Sequence, residues 1–127
     1  ISLHSVRTAK QVLDGIEKSI KQPKRRPVLH WFNASKAETI RAIELGCLFS
    51  VNEQMLHSPS GRGLLDIVPI SRLLTETDAP FQSINDRSPL PGEVEGTLNL
   101  IARAYGSNLD AVAVQIRNTA KALVDSG

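Results

Sequence analysis

The sequence predicts an α/β protein with a parallel sheet, and three observations lead to this class. Four short apolar runs that are typical of strands begin near positions 1, 28, 47 and 73. The three intervals between them span 72 residues, an average of 24, and each contains a segment with helical character. Strands that are separated by helices need crossover connections, which make neighbouring strands parallel.

The first two predicted strands each end at a histidine. Residues 1–3 form an apolar run before His4, and residues 28–29 form a second run before His30. Residues 21–27 contain two prolines and four cations, which predict a solvated connection into the second strand. A helix is predicted before this connection from apolar residues at helical spacing, namely Ala9, Val12, Leu13, Ile16 and Ile20.

Local capping signals bound the second helix. Ser35 is followed three residues later by Glu38, which is the spacing of a capping box, and a helix is therefore predicted over residues 36–45. Gly46 stands where a left-handed residue commonly ends a helix. A third strand is predicted directly afterwards, over residues 47–51.

The alternation continues through the middle of the chain. A short helix is predicted over residues 62–68, before Pro69, and a fourth strand over residues 73–77 that ends at Asp78. Residues 80–91 form a loop rich in proline, serine and asparagine, and its length indicates a functional or mobile segment.

Two helices are predicted at the end of the chain, over residues 93–105 and 109–124. Gly106 is expected to end the first of them. Ser107, together with Asp110 three residues later, is expected to cap the second.

The composition excludes several classes of protein. Hydrophobic residues make up 41% of the 127 residues, and a net charge of +2 is too small for a protein that coats duplex DNA. Cys47 is the one cysteine, which excludes an internal disulfide framework, and no apolar run reaches the ~20 residues of a membrane span. The first residues also lack the regions of a signal peptide. We therefore expect a cytoplasmic protein without membrane contact.

Three residues of metal-ligand type follow three of the predicted strands: His4, His30 and Asp78. In parallel α/β sheets, residues just past the carboxyl ends of the strands face one shared cavity. Imidazole and carboxylate groups suit Zn²⁺, Mn²⁺ or Fe²⁺, and a carboxylate can also accept a proton from water. The alternative is that the histidines are hydrogen-bonded structural residues and that Asp78 is a turn residue.

Other polar and reactive residues carry weaker signals. His57 lies in a polar stretch, residues 56–61, which predicts an exposed loop histidine, with a substrate contact as the alternative. Cys47 is expected to be a buried and unreactive thiol. The cations between Lys21 and Arg26 are expected on the face opposite the strand ends, as a solvated patch or, alternatively, as a nucleic-acid contact.

Four segments of the chain carry a resemblance to a known family. Residues 73–81 read LLTETDAPF, residues 28–32 read VLHWF, residues 3–5 read LHS and residues 45–50 read LGCLFS. They resemble the LLxETDxPF/Y, HxF, HS and LGxYxS segments of TatD-type metal-dependent deoxyribonucleases, and the first is the most specific. The HSVR, HWF and FSVN stretches are most similar to the QatD branch of bacterial antiphage cassettes.

The resemblance implies a TIM-like (β/α) barrel, of which residues 1–127 supply strands five to eight with their helices as one domain. It implies that His4 and His30 hold one of two divalent ions, Mg²⁺, Mn²⁺ or Zn²⁺, and that Asp78 holds the other and orients or deprotonates the attacking water. Glu76, two residues earlier on the same strand face, is expected to support the ligands. The candidate substrate-binding residues are Arg7, Trp31 and Asn33.

The chain also departs from the family pattern. The HxH pair of the family's first strand and the bridging glutamate of its fourth strand do not occur in it, and Val6 replaces the usual arginine after HS. We therefore expect the N-terminal half of the barrel to belong to a segment or chain outside these 127 residues. The 127-residue chain alone is then expected to be inactive.

Two functions stay open at this point. The first is a metal-dependent hydrolase that cleaves phosphodiester bonds in DNA, at single strands or strand ends, in antiviral defence. The second is a non-catalytic half-barrel that binds or assembles a larger complex, because unpaired sheet edges need a cover. The expected partners are DNA, the N-terminal barrel half and other proteins of a defence cassette.

Overall fold

Parallel strands and helices alternate along the chain, as expected. The computed structural model describes residues 2–4, 8–19, 26–77, 86–88, 90 and 92–126. The strands in these ranges are β1 (Ser2–His4), β2 (Val28–His30), β3 (Leu48–Val51) and β4 (Leu73–Thr75). The helices are α1 (Ala9–Ser19), α2 (Lys36–Glu44), α3 (Glu53–His57), α4 (Pro59–Leu65), α5 (Glu95–Tyr105) and α6 (Leu109–Asp125), with a 3₁₀ turn at Ile70–Arg72 before β4.

The strands lie in the order β1-β2-β3-β4, and each neighbouring pair is parallel. The register places His4 beside His30, His30 beside Ser50 and Ser50 beside Leu74. Residues that share a row of a sheet point to the same face. The predicted α/β class with parallel strands is therefore confirmed, and the two histidines lie in one row.

The two faces of the sheet differ in chemistry. Leu29, Phe49 and Leu73 point to one face and are fully buried in the hydrophobic core beneath the helices. Phe32 extends this core and packs edge-on against Phe49, with ring centroids 5.4 Å apart. The opposite face carries the row with His4, His30 and Ser50. A polar row of side chains thus lies on the face opposite this core.

The second helix begins and ends as its capping signals predict. Ser35 Oγ accepts a hydrogen bond from the Glu38 amide (3.2 Å), and the Glu38 carboxylate accepts one from the Ser35 amide (2.9 Å). Gly46 follows with a φ of +79°, a left-handed conformation that glycine adopts at little cost. Arg41 of this helix pairs with Asp14 of α1 at 2.8 Å, which ties the two helices together.

The segment after β3 differs from the prediction of one helix over residues 62–68. Two helices occupy it, because Asn52 and Ser58 each place a side-chain oxygen on the amide three residues ahead, at 2.8 and 3.0 Å. A helix of five residues such as α3 is too short to show a periodic apolar pattern, and α4 overlaps the predicted helix at residues 62–65. His57, which we expected in a loop, is therefore the last residue of α3, and its side chain is 62% exposed.

The C-terminal pair of helices differs from the prediction in one cap. Gly106 is left-handed, with a φ of +61°, and ends α5 as expected. The residue that caps α6 is Asn108 and not Ser107: its side-chain oxygen accepts from the Ala111 amide at 2.8 Å. The helix begins at Leu109, so Asn108 occupies the cap position and Ser107 lies one residue too early. Across residues 2–126, wherever the structure describes them, no helix is long and apolar enough to cross a membrane.

Candidate functional site

The end of the β1–β2 pair carries two imidazoles side by side. His4 and His30 are the last residues of their strands, and their ring centroids lie 5.2 Å apart at an angle of 43°. A histidine that binds an ion through nitrogen at about 2.0–2.1 Å has its ring centroid about 3 Å from the ion, so two such rings at a tetrahedral angle lie about 5 Å apart. The spacing of this pair therefore fits two ligands of one metal ion.

Glu76 contacts the second of these histidines directly. Its Oε2 is hydrogen-bonded to Nδ1 of His30, and because a carboxylate can only accept, Nδ1 is the donor. The two side chains are largely buried, with 19% and 16% of their surfaces exposed. Histidines that bind metals commonly donate their other ring nitrogen to a carboxylate in this way. Nε2 is thus the nitrogen through which His30 would bind an ion.

Two further side chains hold the Glu76 carboxylate, and the sequence did not single out either. Ser50 donates its hydroxyl to Oε2, and Asn52 donates from Nδ2 to Oε1 at 3.2 Å. The backbone amide of Glu76 also donates to the Val51 carbonyl (3.0 Å), which continues the β3–β4 ladder by one residue. The signal in the sequence is the alternation after Phe49, where polar residues at 50 and 52 share a face within an otherwise apolar strand.

Trp31 follows His30 in an unusual backbone conformation. Its φ is +51°, in the left-handed region, which costs a residue with a side chain about 1–2 kcal/mol. The residue is half-buried and packs against the core, whereas Asn33 is exposed. Such conformations are concentrated at functional sites, where the surrounding structure maintains them. Both residues follow the carboxyl end of β2, beside the histidine pair.

The other predicted site residues are placed as follows. Asp78 and Arg7 lie outside the described residues, so their predicted roles stay predictions. Cys47 is fully buried, and burial raises the pKa of its thiol to about 11, which fits the expected inert role. His57 Nε2 lies 3.6 Å from Oε1 of Glu53, one turn earlier on α3.

Of the basic cluster, Arg26 is exposed, and Lys21, Lys24 and Arg25 lie outside the described residues. Among the residues for which the structure gives positions, no three His, Cys, Asp or Glu side chains form a group that could enclose a metal ion. The described part of the site therefore supplies two imidazoles with a supporting carboxylate, which fits part of a metal site.

Comparison with known proteins identifies relatives in sequence. The model of the family "TatD related DNase" matches residues 1–125. A protein of Pantoea ananatis named "3'-5' ssDNA/RNA exonuclease TatD" is 26% identical over 106 residues, which are 76% of this chain and 41% of that protein. The protein of the same name from Klebsiella pneumoniae is 36% identical over 67 residues, 50% of this chain and 26% of that protein. The chain thus spans less than half the length of these relatives.

Solved structures share the fold. A TatD homologue from Escherichia coli superimposes with a TM-score of 0.78 at 20% identity, over 96% of this chain and 48% of that one. An uncharacterised amidohydrolase from Saccharomyces cerevisiae gives a TM-score of 0.80 at 14% identity, over 96% and 52% of the two chains. The described sheet is accordingly about half of the fold of those chains. Because the family model covers nearly all 127 residues, the chain belongs to the TatD related DNase family.

Proposed function

We propose that this chain forms part of a metal-dependent hydrolase that cleaves phosphodiester bonds in single-stranded DNA or at DNA strand ends. The observation that carries the proposal is the pair of imidazoles at the carboxyl ends of β1 and β2, with the Glu76 carboxylate on Nδ1 of His30. The names of the two bacterial relatives, which describe exonucleases of single-stranded DNA and RNA, support the choice of substrate.

The residues of this chain that would hold metal are His4 and His30 for one ion and Asp78 for a second. A divalent ion bound there supplies charge that lowers the pKa of water and stabilises oxygens around phosphorus. Glu76 accepts the hydrogen bond from Nδ1 of His30, and Nε2 would then be the ring nitrogen that binds an ion. Asp78 carries a carboxylate that can accept the proton of the attacking water.

The substrate would lie along the carboxyl ends of the strands. Trp31 offers an aromatic ring there, and aromatic rings stack on unpaired bases without reading their sequence. Asn33 offers an amide for the backbone of the nucleic acid, and Arg7 a cation for its phosphates. A chain with a net charge of only +2 suits recognition through such local contacts.

The active enzyme, in this proposal, includes the remaining strands of the barrel, from the same or another polypeptide. In the part of the sheet that the structure describes, β1 and β4 are the outer strands, and their outer edges would pair with those strands. The ligands that the family carries on its first and fourth strands would then face the histidine pair. Residues 1–127 would form one domain with them.

Substitution of Asp78 and of Glu76 in the complete barrel tests the proposed function. Asp78→Asn is nearly isosteric, so it should preserve thermal stability and lower single-turnover cleavage of single-stranded DNA by several orders of magnitude. Glu76→Gln removes a group that acts through His30, so it should lower the rate only about 10- to 100-fold. The measurements are single-turnover cleavage with Mn²⁺ or Mg²⁺ and a thermal melt of each variant.

His57→Ala is the matched control, because His57 is exposed on α3 and pairs there with Glu53. Its cleavage rate should equal that of the wild type. An Asp78→Asn enzyme within about tenfold of the wild-type rate would show that Asp78 is a turn residue and would overturn the proposed site. DNA binding without cleavage by the complete barrel would instead favour the non-catalytic binding module.

A further inference from the structure

The largely buried carboxylate of Glu76, which contacts His30, accepts hydrogen bonds on both of its oxygens. Oε2 of Glu76 accepts from the Ser50 hydroxyl and from Nδ1 of His30, and Oε1 accepts from Nδ2 of Asn52. Ser50 is 7% exposed and Asn52 only 1% exposed, so water has little access to either donor. The three donors come from β2, β3 and the residue after β3. They hold the carboxylate group from two sides.

The burial of these polar side chains costs folding free energy unless they form hydrogen bonds. The other residues of β3 are apolar and fully buried, and a buried hydroxyl or amide that lacks a partner destabilises a protein. Apolar residues at positions 50 and 52 would avoid the cost of burying polar groups, but they would leave Glu76 without these two donors. The carboxylate of Glu76 thus accounts for the hydroxyl of Ser50 and, together with the cap of α3, for the amide of Asn52.

Asn52 divides its amide between two tasks. Its Oδ1 caps α3 through the Met55 amide at 2.8 Å, and its Nδ2 donates to Glu76 at 3.2 Å. The cap fixes the rotamer of the side chain, and the fixed rotamer directs Nδ2 at the carboxylate. The start of α3 is therefore connected to His30 through the side chains of Asn52 and Glu76.

We propose that Ser50 and Asn52 are positioning residues of the site: they hold Glu76 so that it selects the Nδ1-protonated tautomer and the orientation of His30. This inference rests on the proposed function in that His30 is taken to bind metal through Nε2. The tautomer itself is a property of the metal-free chain and can be measured without activity.

The test compares three variants of the full chain. Asn52→Ser keeps a capping hydroxyl for α3 but loses the donor to Glu76, and Ser50→Ala loses the other donor. Asn108→Ser is the matched control, because Asn108 caps α6 by the same kind of bond, away from the site. Long-range ¹H–¹⁵N NMR correlations of the His30 imidazole at about pH 8.5, where histidine is ordinarily neutral, report the tautomer. Titration with Zn²⁺ alone reports metal affinity.

The wild type and Asn108→Ser should both show His30 protonated at Nδ1. Asn52→Ser and Ser50→Ala should show a mixture with the Nε2-protonated form and about tenfold weaker Zn²⁺ binding, the lower end of the effect of losing an outer partner of a metal-binding histidine. An unchanged tautomer in both site variants would overturn the proposal, as would an equal shift in Asn108→Ser. A shifted tautomer with unchanged Zn²⁺ binding would support the positioning role and contradict the use of His30 as a ligand.

Discussion

At the scale of single residues, burial decides which groups can ionise. Cys47 precedes β3 inside the core, and the loss of water around its sulfur raises the pKa of the thiol from 9.0 to about 11. Tyr105 is shifted in the same direction, to about 12, first by burial and then by the charge of Asp66. The hydroxyl of Tyr105 donates to the Val68 carbonyl, a bond that only the neutral phenol can make.

These shifts predict a loss of stability in alkali. In the unfolded chain the Cys47 thiol ionises near its ordinary pKa, whereas the folded chain retains the proton to about pH 11. The unfolded state therefore releases the proton first, and the free energy of unfolding should fall as pH rises from about 9 to 11. Urea denaturation at several pH values measures this decrease, and Cys47→Ala should reduce its slope.

Tyr105→Phe is the companion variant. It should reduce the loss of stability above pH 10, because the ordinary pKa of a tyrosine hydroxyl is higher than that of a thiol. A Cys47→Ala chain with the same alkaline slope as the wild type would contradict the assignment of the shift to burial. Reaction of Cys47 with a thiol reagent should be slow in the folded chain and fast in urea.

At the scale of elements, one or two residues determine each end of α2. Ser35 and Glu38 begin α2, and Gly46 ends it in a left-handed conformation. A Cβ at Gly46 would meet nothing within 4 Å, so backbone conformation and not space accounts for the glycine. Gly15, in the middle of α1, also has open space around it, but its φ lies outside the left-handed region.

Two alanine substitutions should therefore have opposite effects. Gly46→Ala should lower the free energy of unfolding by about 1 kcal/mol, because alanine is strained at positive φ. Gly15→Ala should raise it by up to about 1 kcal/mol, because alanine favours a helix interior. Chemical denaturation of both variants measures these differences. Destabilisation by both substitutions to the same extent would show that side-chain volume, and not φ, sets the cost.

At the scale of the whole molecule, the sheet has one covered face and one face with the candidate site. The helices bury Leu29, Phe49 and Leu73, while the row with His4 and His30 lies on the other side. The solved relatives contain about twice the length that matches this chain. In the described part of the chain, the candidate metal-binding groups are two imidazoles and the carboxylate that is hydrogen-bonded to one of them.

The 127-residue chain alone should consequently lack nuclease activity. Without the ligands that the family carries on its other strands, two histidines and one aspartate bind ions weakly. Purified chain incubated with single-stranded DNA and Mg²⁺ or Mn²⁺ is the measurement, and a His4→Ala/His30→Ala double variant controls for contaminating nucleases. Robust, chelator-sensitive cleavage that the double variant lacks would refute this prediction.

The fold class, the family and most helix ends could be predicted from the amino-acid sequence, because they depend on local patterns. Strand and helix periodicity, the Ser35–Glu38 box and the LLTETDAPF segment are each read within a few neighbouring residues. The match to the TatD family is confirmed, whereas its QatD branch and the roles of the site residues stay predictions. Helix α3 was not predicted, because five residues are too few to show periodicity, and α4 lies three residues earlier than the helix predicted over residues 62–68.

The set of side chains around the candidate site depends on contacts between residues that are distant in the sequence. His30 and Glu76 are 46 residues apart, and Ser50 lies 26 residues before Glu76, so no local pattern connects them. Their contact depends on the register of β2, β3 and β4, and a slip by one residue would move a side chain to the opposite face. Register is selected by the packing of the whole buried face, where Leu29, Phe49 and Leu73 must align beneath the helices. The hydrogen bonds that His30, Ser50 and Asn52 donate to Glu76 therefore depend on the assembled sheet.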